Sequence, residues 1–161
     1  MFTNFTNKII IYSVIGIFLV GCGQNNVDEN QPVAVTPEPV NLTVPFYIQP
    51  IKEPADNKTT KQGIELGKQL FFEKKLSRTN QISCASCHNP ELAFSDNRRF
   101  SVGVEGRIGT RQAMSLINLA LLDSNFFWDG RSSSLEHQVL FPIEDKLEMD
   151  NDIQTVISNL K

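Results

Sequence analysis

The sequence predicts an all-α domain with long irregular loops, carried behind a targeting segment and a disordered tether. Three observations predict it. Apolar residues recur at helical spacing in several separate stretches, with no alternating strand–helix pattern around them. Capping and stop signals bracket those stretches. Among them lies Cys84-Ala85-Ser86-Cys87-His88, two thiols and an imidazole at the spacing that attaches a c-type haem.

That spacing has a chemical reason. Each thiol adds across one haem vinyl group, and two intervening residues let both sulfurs reach vinyls on neighbouring pyrroles. His88 then gives the iron its proximal nitrogen. The motif occurs once, so the cofactor expected is one covalent haem c, held by Cys84, Cys87 and His88. Two other readings compete. Half of a zinc site would need four ligands, and the only other histidine is His137. A redox dithiol of the thioredoxin kind needs a βαβ setting, which is not found around Cys84. The fold class is therefore a cytochrome c-type haem domain.

The elements follow in order. Lys8 precedes a twelve-residue apolar run, Ile9 to Val20, too short to span a bilayer comfortably. It ends in Leu19-Val20-Gly21-Cys22, which resembles a bacterial lipobox. Residues 1–21 are then a lipoprotein signal peptide, and Cys22 becomes the first mature residue and the point of lipid attachment. An uncleaved membrane anchor is the alternative. Either places the domain in the cell envelope facing the periplasm, lipid-anchored, at the outer membrane if the cell is Gram-negative. Three cysteines are then used, one for lipid and two for haem. None remains for a disulfide, which an oxidising compartment would permit.

Residues 22–54 read as a Pro/Asn-rich tether, with prolines at 32, 37, 39, 45, 50 and 54. Such a segment is extended and buries no core. Phe46-Tyr47-Ile48 is an apolar island within it, either packed on the domain or extended as a strand.

Residues 55–161 are the haem domain. Ile64, Leu66, Leu70 and Phe71 form a stripe that predicts a helix from Thr59 to Lys75. Asn89-Pro90 ends the short helical turn that carries His88. Phe94 to Gly109 is irregular, and Gly103, Gly106 and Gly109 suggest a loop passing close to something flat, such as a porphyrin. Met114, Leu116, Ile117, Leu119, Ala120 and Leu121 predict a helix over Gln112 to Leu122. Ser133-Ser134-Leu135-Glu136 reads as a capping box opening a helix to Phe141, stopped by Pro142. Ile153, Val156, Ile157 and Leu160 predict a last helix from Asp150 to Lys161. With its stripe still running at Lys161 and no stop signal, the chain reads as a truncated reading frame or the first part of a longer protein; a natural C-terminal helix ending on a lysine is the alternative. The net charge of −3 and pI near 5.4, with no long basic run, give no reason to expect nucleic acid as a partner.

Several motifs together carry a family resemblance over about residues 57–161. They are Leu66-Gly67-Lys68-Gln69-Leu70-Phe71-Phe72, Ile82-Ser83 leading into the haem motif, Ser101-Val102-Gly103-Val104, Phe127-Trp128-Asp129-Gly130-Arg131, Pro142-Ile143-Glu144 and Glu148-Met149. In order and spacing the chain resembles the N-terminal half of bacterial di-haem cytochrome c peroxidases and the related MauG-like proteins.

The resemblance implies two helical cytochrome c-like domains, of which this chain holds the peroxidatic one, with His88 on its iron. It implies hydrogen peroxide as substrate and a small electron-donor protein, of cytochrome c or cupredoxin type, as partner. Glu148 matches the family's distal acid–base glutamate; on position alone it is a solvated carboxylate before a helix. Gln138 matches a polar residue near the distal pocket, and is otherwise a surface amide. Trp128 matches a tryptophan on the electron path between the haems; by itself it reads as a core aromatic with its indole N–H satisfied. Asp129 and Arg131 read as braces of their loop.

Two departures are informative. Val104 stands where well-known members have a histidine that caps the iron, and valine cannot ligate. An open sixth position is expected, with His137 and Met114 as the remaining possible ligands. Gln112 replaces an asparagine that contributes to an interdomain calcium site, so no calcium is expected. Three functions therefore compete: peroxide reduction, mono-haem electron transfer, and a MauG-like oxidation of a protein or organic substrate.

Overall fold

The computed structural model describes residues 36–161. The expected signal peptide, the lipid site at Cys22 and the first part of the tether lie outside the described residues. Residues 36–54 are extended and largely exposed. They are nevertheless fastened at one point: the Val40 N–H donates to Thr59 O (3.0 Å) and the Lys61 N–H to Glu38 O (2.9 Å). Phe46 and Tyr47 sit in a turn, 99% and 74% exposed, and Ile48 is half-buried, so the apolar island is no strand and its two aromatics are not packed.

Five α-helices follow: α1 (Lys61–Phe72), α2 (Cys84–Cys87), α3 (Leu135–Gln138), α4 (Leu140–Glu144) and α5 (Ile153–Leu160). Among the described residues there is no extended sheet, only four isolated bridges that close loops. Long irregular stretches join the helices, as composition led one to expect.

Helix α1 begins where Thr60 Oγ1 accepts the Gly63 N–H at 3.0 Å, satisfying one of the orphan donors of a helix start. It stops three residues short of the predicted Lys75, because Glu73 turns extended and its carboxylate takes the Lys75 N–H. In α2 the Ser86 hydroxyl reaches back to the Ser83 N–H (3.0 Å), and His88 N–H donates to Cys84 O (2.8 Å). The haem motif is therefore one helical turn. Helix α5 is capped by Asp152, whose carboxylate accepts the Thr155 N–H.

Two expected helices are corrected. Residues 112–118 are irregular, and only a 3-10 turn, Leu119–Leu121, forms after Asn118 at φ 64°. Tertiary bonds claim the polar groups that a helix would pair internally. Ala113 N–H donates to Ser101 Oγ, Gln112 Nε2 to Asp96 O, and Met114 O accepts from His88. Ser115 also captures the Ile117 N–H, the local competition that makes serine a poor helix interior. The second correction concerns Pro142. It lies within α4 instead of ending α3. It is the third residue there, still in the first turn, where a missing N–H leaves no bond broken.

The core is small. Leu76, Ile143, Met149 and Val156 are buried together, with Leu70, Ile82, Cys84 and Ile153 packed on them. It joins the C-terminal side of α1, the haem motif, α4 and α5. Only half of the predicted α5 stripe joins it; Ile157 and Leu160 stay more than two-fifths exposed.

Candidate functional site

Beside this core lies a cavity of about 420 Å³, walled by Phe71, Ile82, Leu116, Leu119, Val139 and Ile143. A second cavity of about 440 Å³ is lined by Trp128, Arg111, Asp129, Arg131 and Asp145. Cys87, His88, Ser101, Gln138, Pro142 and Glu148 line both. The pair forms one slot, apolar at one end and polar at the other. That polarity fits a porphyrin, whose macrocycle is apolar and whose propionates are charged. Cys84 lies at the apolar end with Cys87 beside the shared wall, as thioethers to vinyl groups require.

His88 is prepared for a metal. Its Nδ1 lies 2.9 Å from Met114 O and 3.1 Å from Phe94 O. Carbonyl oxygens only accept, so Nδ1 carries the proton and Nε2 keeps its lone pair for iron. Such a bond also fixes the ring and raises ligand basicity. Neither carbonyl announces itself in sequence. Both come from irregular segments that meet only in the fold.

The thiols argue against the redox-dithiol reading. Burial pushes Cys84 up, and burial, then the charges of Asp96 and Glu148, push Cys87 up to about 11. A reactive redox dithiol needs the opposite shift. His137 lines neither cavity; it lies 3.4 Å from Ser132 Oγ and stacks edge-on with Phe141. It is therefore not placed as a zinc partner or as a sixth iron ligand. Met114 meets His88 through its carbonyl, on the side of the ring away from Nε2, so it does not approach from the distal face.

Gln138 and Glu148 line the same two cavities. Gln138 ends α3, and its Oε1 is buried without a hydrogen-bond partner. A buried acceptor left unpaired is costly, which suits a site that awaits a bound molecule. Glu148 follows α4 on the 145–150 turn. Burial, then the neighbouring charge of Asp145, raises its pKa above the ordinary carboxylate range, while Arg131 opposes the shift.

Gly103 and Gly109 line the slot, and Gly103 carries a second constraint from backbone. A Cβ there would overlap the Leu147 carbonyl and lie 2.5 Å from Glu148 O. The close approach is therefore to the backbone of Glu148 itself. Val104, 1% exposed, secures it: its N–H donates to Glu148 O at 2.8 Å. Gly106 meets nothing nearby and is needed for its φ of +74°.

Trp128 departs from the core reading. It is 64% exposed, with its indole N–H donating to Gln112 O at 3.0 Å. Next to it, Asp129 accepts from both Arg111 and Arg131. The Arg111 bond first, and then Arg131, hold Asp129 down to about 2. Arg131 also lies over the Phe127 ring, 3.7 Å from its centroid, so the loop is braced as the residue types suggested.

Residues 61–161 match the family described as di-haem cytochrome c peroxidase. The chain belongs to that family. Among curated relatives, it is 37% identical over 111 residues to the methylamine utilization protein MauG of Methylophilus methylotrophus, covering 69% of this chain and 33% of the relative. It is 38% identical over 112 residues to cytochrome c551 peroxidase of Pseudomonas aeruginosa, covering 70% and 30%. A crystal structure of a MauG-like protein associated with microbial copper homeostasis superposes with a TM-score of 0.67 at 32% identity, covering 74% of this chain and 36% of that one. The chain spans about a third of the length of the curated relatives it matches. Family membership implies haem c as the cofactor.

Proposed function

We propose that this chain forms the peroxidatic half of a di-haem-type peroxidase, reducing hydrogen peroxide with electrons from a small cytochrome c or cupredoxin. The observation that carries the reading is the shared slot. It sets a proton-fixed His88 and a half-buried Glu148, its pKa raised by burial, on the same cavity. A haem c on Cys84, Cys87 and His88 would supply the iron at which the peroxide O–O bond breaks. The protein's own part is proton movement. Glu148, ionised, takes the proton from the oxygen nearer the iron and returns it to the oxygen that leaves as water. Gln138, with its free buried Oε1, orients the peroxide hydroxyl by accepting from it. Burial shifts the Glu148 pKa upward, the direction that favours proton exchange with peroxide.

The same reading places the domain at the cell envelope on a lipid at Cys22, with the tether holding it off the membrane. It assigns one haem to this chain, with Val104 leaving the sixth position open. A second reading, MauG-like oxidation of a larger substrate, is favoured by one observation. Trp128 presents an exposed indole at the rim of the polar cavity, where a bulky partner reaches it without entering the slot.

Donor-coupled turnover tests the choice. The haem-loaded chain is mixed with a reduced small cytochrome c, and oxidation is followed on adding hydrogen peroxide. Peroxide-dependent oxidation well above the uncatalysed rate is expected. A rate equal to background, with the haem attached, contradicts the peroxidase reading.

A further inference from the structure

The turn that carries Glu148 is held from behind by a closed ring of charges. Arg78 reaches Asp150 Oδ2 (3.0 Å) and Glu105 Oε1 (2.9 Å). Arg107 reaches the same Asp150 oxygen (2.7 Å) and Glu105 Oε2 (2.7 Å). Lys146 occupies the other Asp150 oxygen (2.8 Å). Asp150 is only 8% exposed, and its φ of +48° is left-handed, a conformation aspartate and asparagine tolerate better than most residues. The ring also grips main chain. Arg107 Nη1 donates to Lys146 O (2.7 Å), and the Arg78 N–H to Met149 O (3.0 Å). With the Val104 N–H on Glu148 O, the carbonyls of residues 146, 148 and 149 are each fixed from the elements behind the turn. None of Arg78, Glu105, Arg107 or Asp150 lines either cavity.

We propose that Asp150 is the positioning residue of the site. It gathers Arg78, Arg107 and Lys146 on the outer side of the turn, and so fixes where the Glu148 carboxyl stands over the slot. The inference rests on the reading of Glu148 as the acid–base group. It concerns residues that never touch peroxide, and it assigns a task to three cations that the proton chemistry leaves unused. A misplacement of about 1 Å is enough to cost on the order of 100-fold in rate.

The test uses the haem-loaded chain and Asp150→Asn, which keeps the shape and the left-handed backbone but removes the charge. Expected are a loss of roughly 10- to 100-fold in kcat, little change in KM, and an unchanged haem absorption spectrum. Amide hydrogen exchange should accelerate at Val104 and Arg78 but not within α1, which separates local release from general loosening. In a Glu148→Gln background, Asp150→Asn should add less than about twofold, since two residues acting through one group are not additive. If Asp150→Asn does not fold, Arg107→Lys serves: it keeps the charge, loses the fork whose Nη1 holds Asp150 and Lys146 O and whose Nη2 holds Glu105, and is expected to give the same losses. Turnover within twofold of the parent with unchanged exchange at Val104 and Arg78 would overturn the proposal, as would full additivity with Glu148→Gln. Failure of the Glu148 reading itself looks different. Glu148→Gln would then retain turnover, while the exchange experiment still reports whether Asp150 holds the turn.

Discussion

Glu148→Gln is expected to lower peroxide turnover by about 10²–10⁴-fold, the range typical of a positioned acid–base group, with haem attachment intact. Glutamine keeps the shape of the side chain and its hydrogen bonding but cannot carry the proton. The pH dependence gives a second readout. Burial and Asp145 raise the Glu148 pKa, and the ionised form is the one that accepts from peroxide. The kcat/KM should therefore rise with pH through a midpoint above the ordinary carboxylate range, and Glu148→Gln should erase that limb. Stability moves the other way. With its folded-state pKa raised, the contribution of Glu148 is fully present below the unfolded carboxylate value. It is lost as pH rises through the raised one. At neutral pH the glutamine variant should be at least as stable as the parent in urea unfolding. Equal turnover by parent and variant across that pH range would remove Glu148 from the chemistry.

Gly103→Ala is the largest stability change expected from a single methyl. The φ of Gly103 is −91°, open to any residue, so the constraint is space alone. The added Cβ would sit in the carbonyls of Leu147 and Glu148, and backbone cannot rotate away as a side chain does. Overpacking of a tight contact costs roughly 1–3 kcal/mol, and the upper end is expected here. Because the strand of chain displaced carries Glu148, turnover should fall together with the unfolding midpoint. Gly106→Ala is a useful contrast: its cost comes from the left-handed backbone, with nothing nearby to displace. Unchanged stability and turnover in Gly103→Ala would show that the two segments are not in close approach.

These two cases also mark how far the sequence reached. The thiols and His88 were legible because their chemistry and spacing survive in one dimension; Glu148 and Gln138 stood out only through the family resemblance, since on position alone they read as surface groups, and both line the slot beside Cys87 and His88. Helices α1 and α5 were legible because amphipathic periodicity and a capping oxygen are local signals. The 112–122 helix was mispredicted because its apolar spacing is genuine. What overrides it is a set of long-range bonds to Ser101, Asp96 and His88, none of which has a local signature. Trp128 misled for a similar reason: an indole on a loop rim has the same composition as one in a core. The Gly103 contact and the Asp150 pairs with Arg78 and Arg107 join residues more than forty positions apart. Charge pairs at such separation leave no period to read.

The central claim is an iron held by His88 from one side and open on the side of Glu148. Carbon monoxide tests it most directly, because it binds ferrous haem only where a sixth position is free. The absorption spectrum of the reduced haem-loaded chain is recorded before and after adding the gas. A five-coordinate spectrum that shifts fully on carbon monoxide is predicted. A six-coordinate spectrum that does not respond would contradict the account and return the chain to electron transfer.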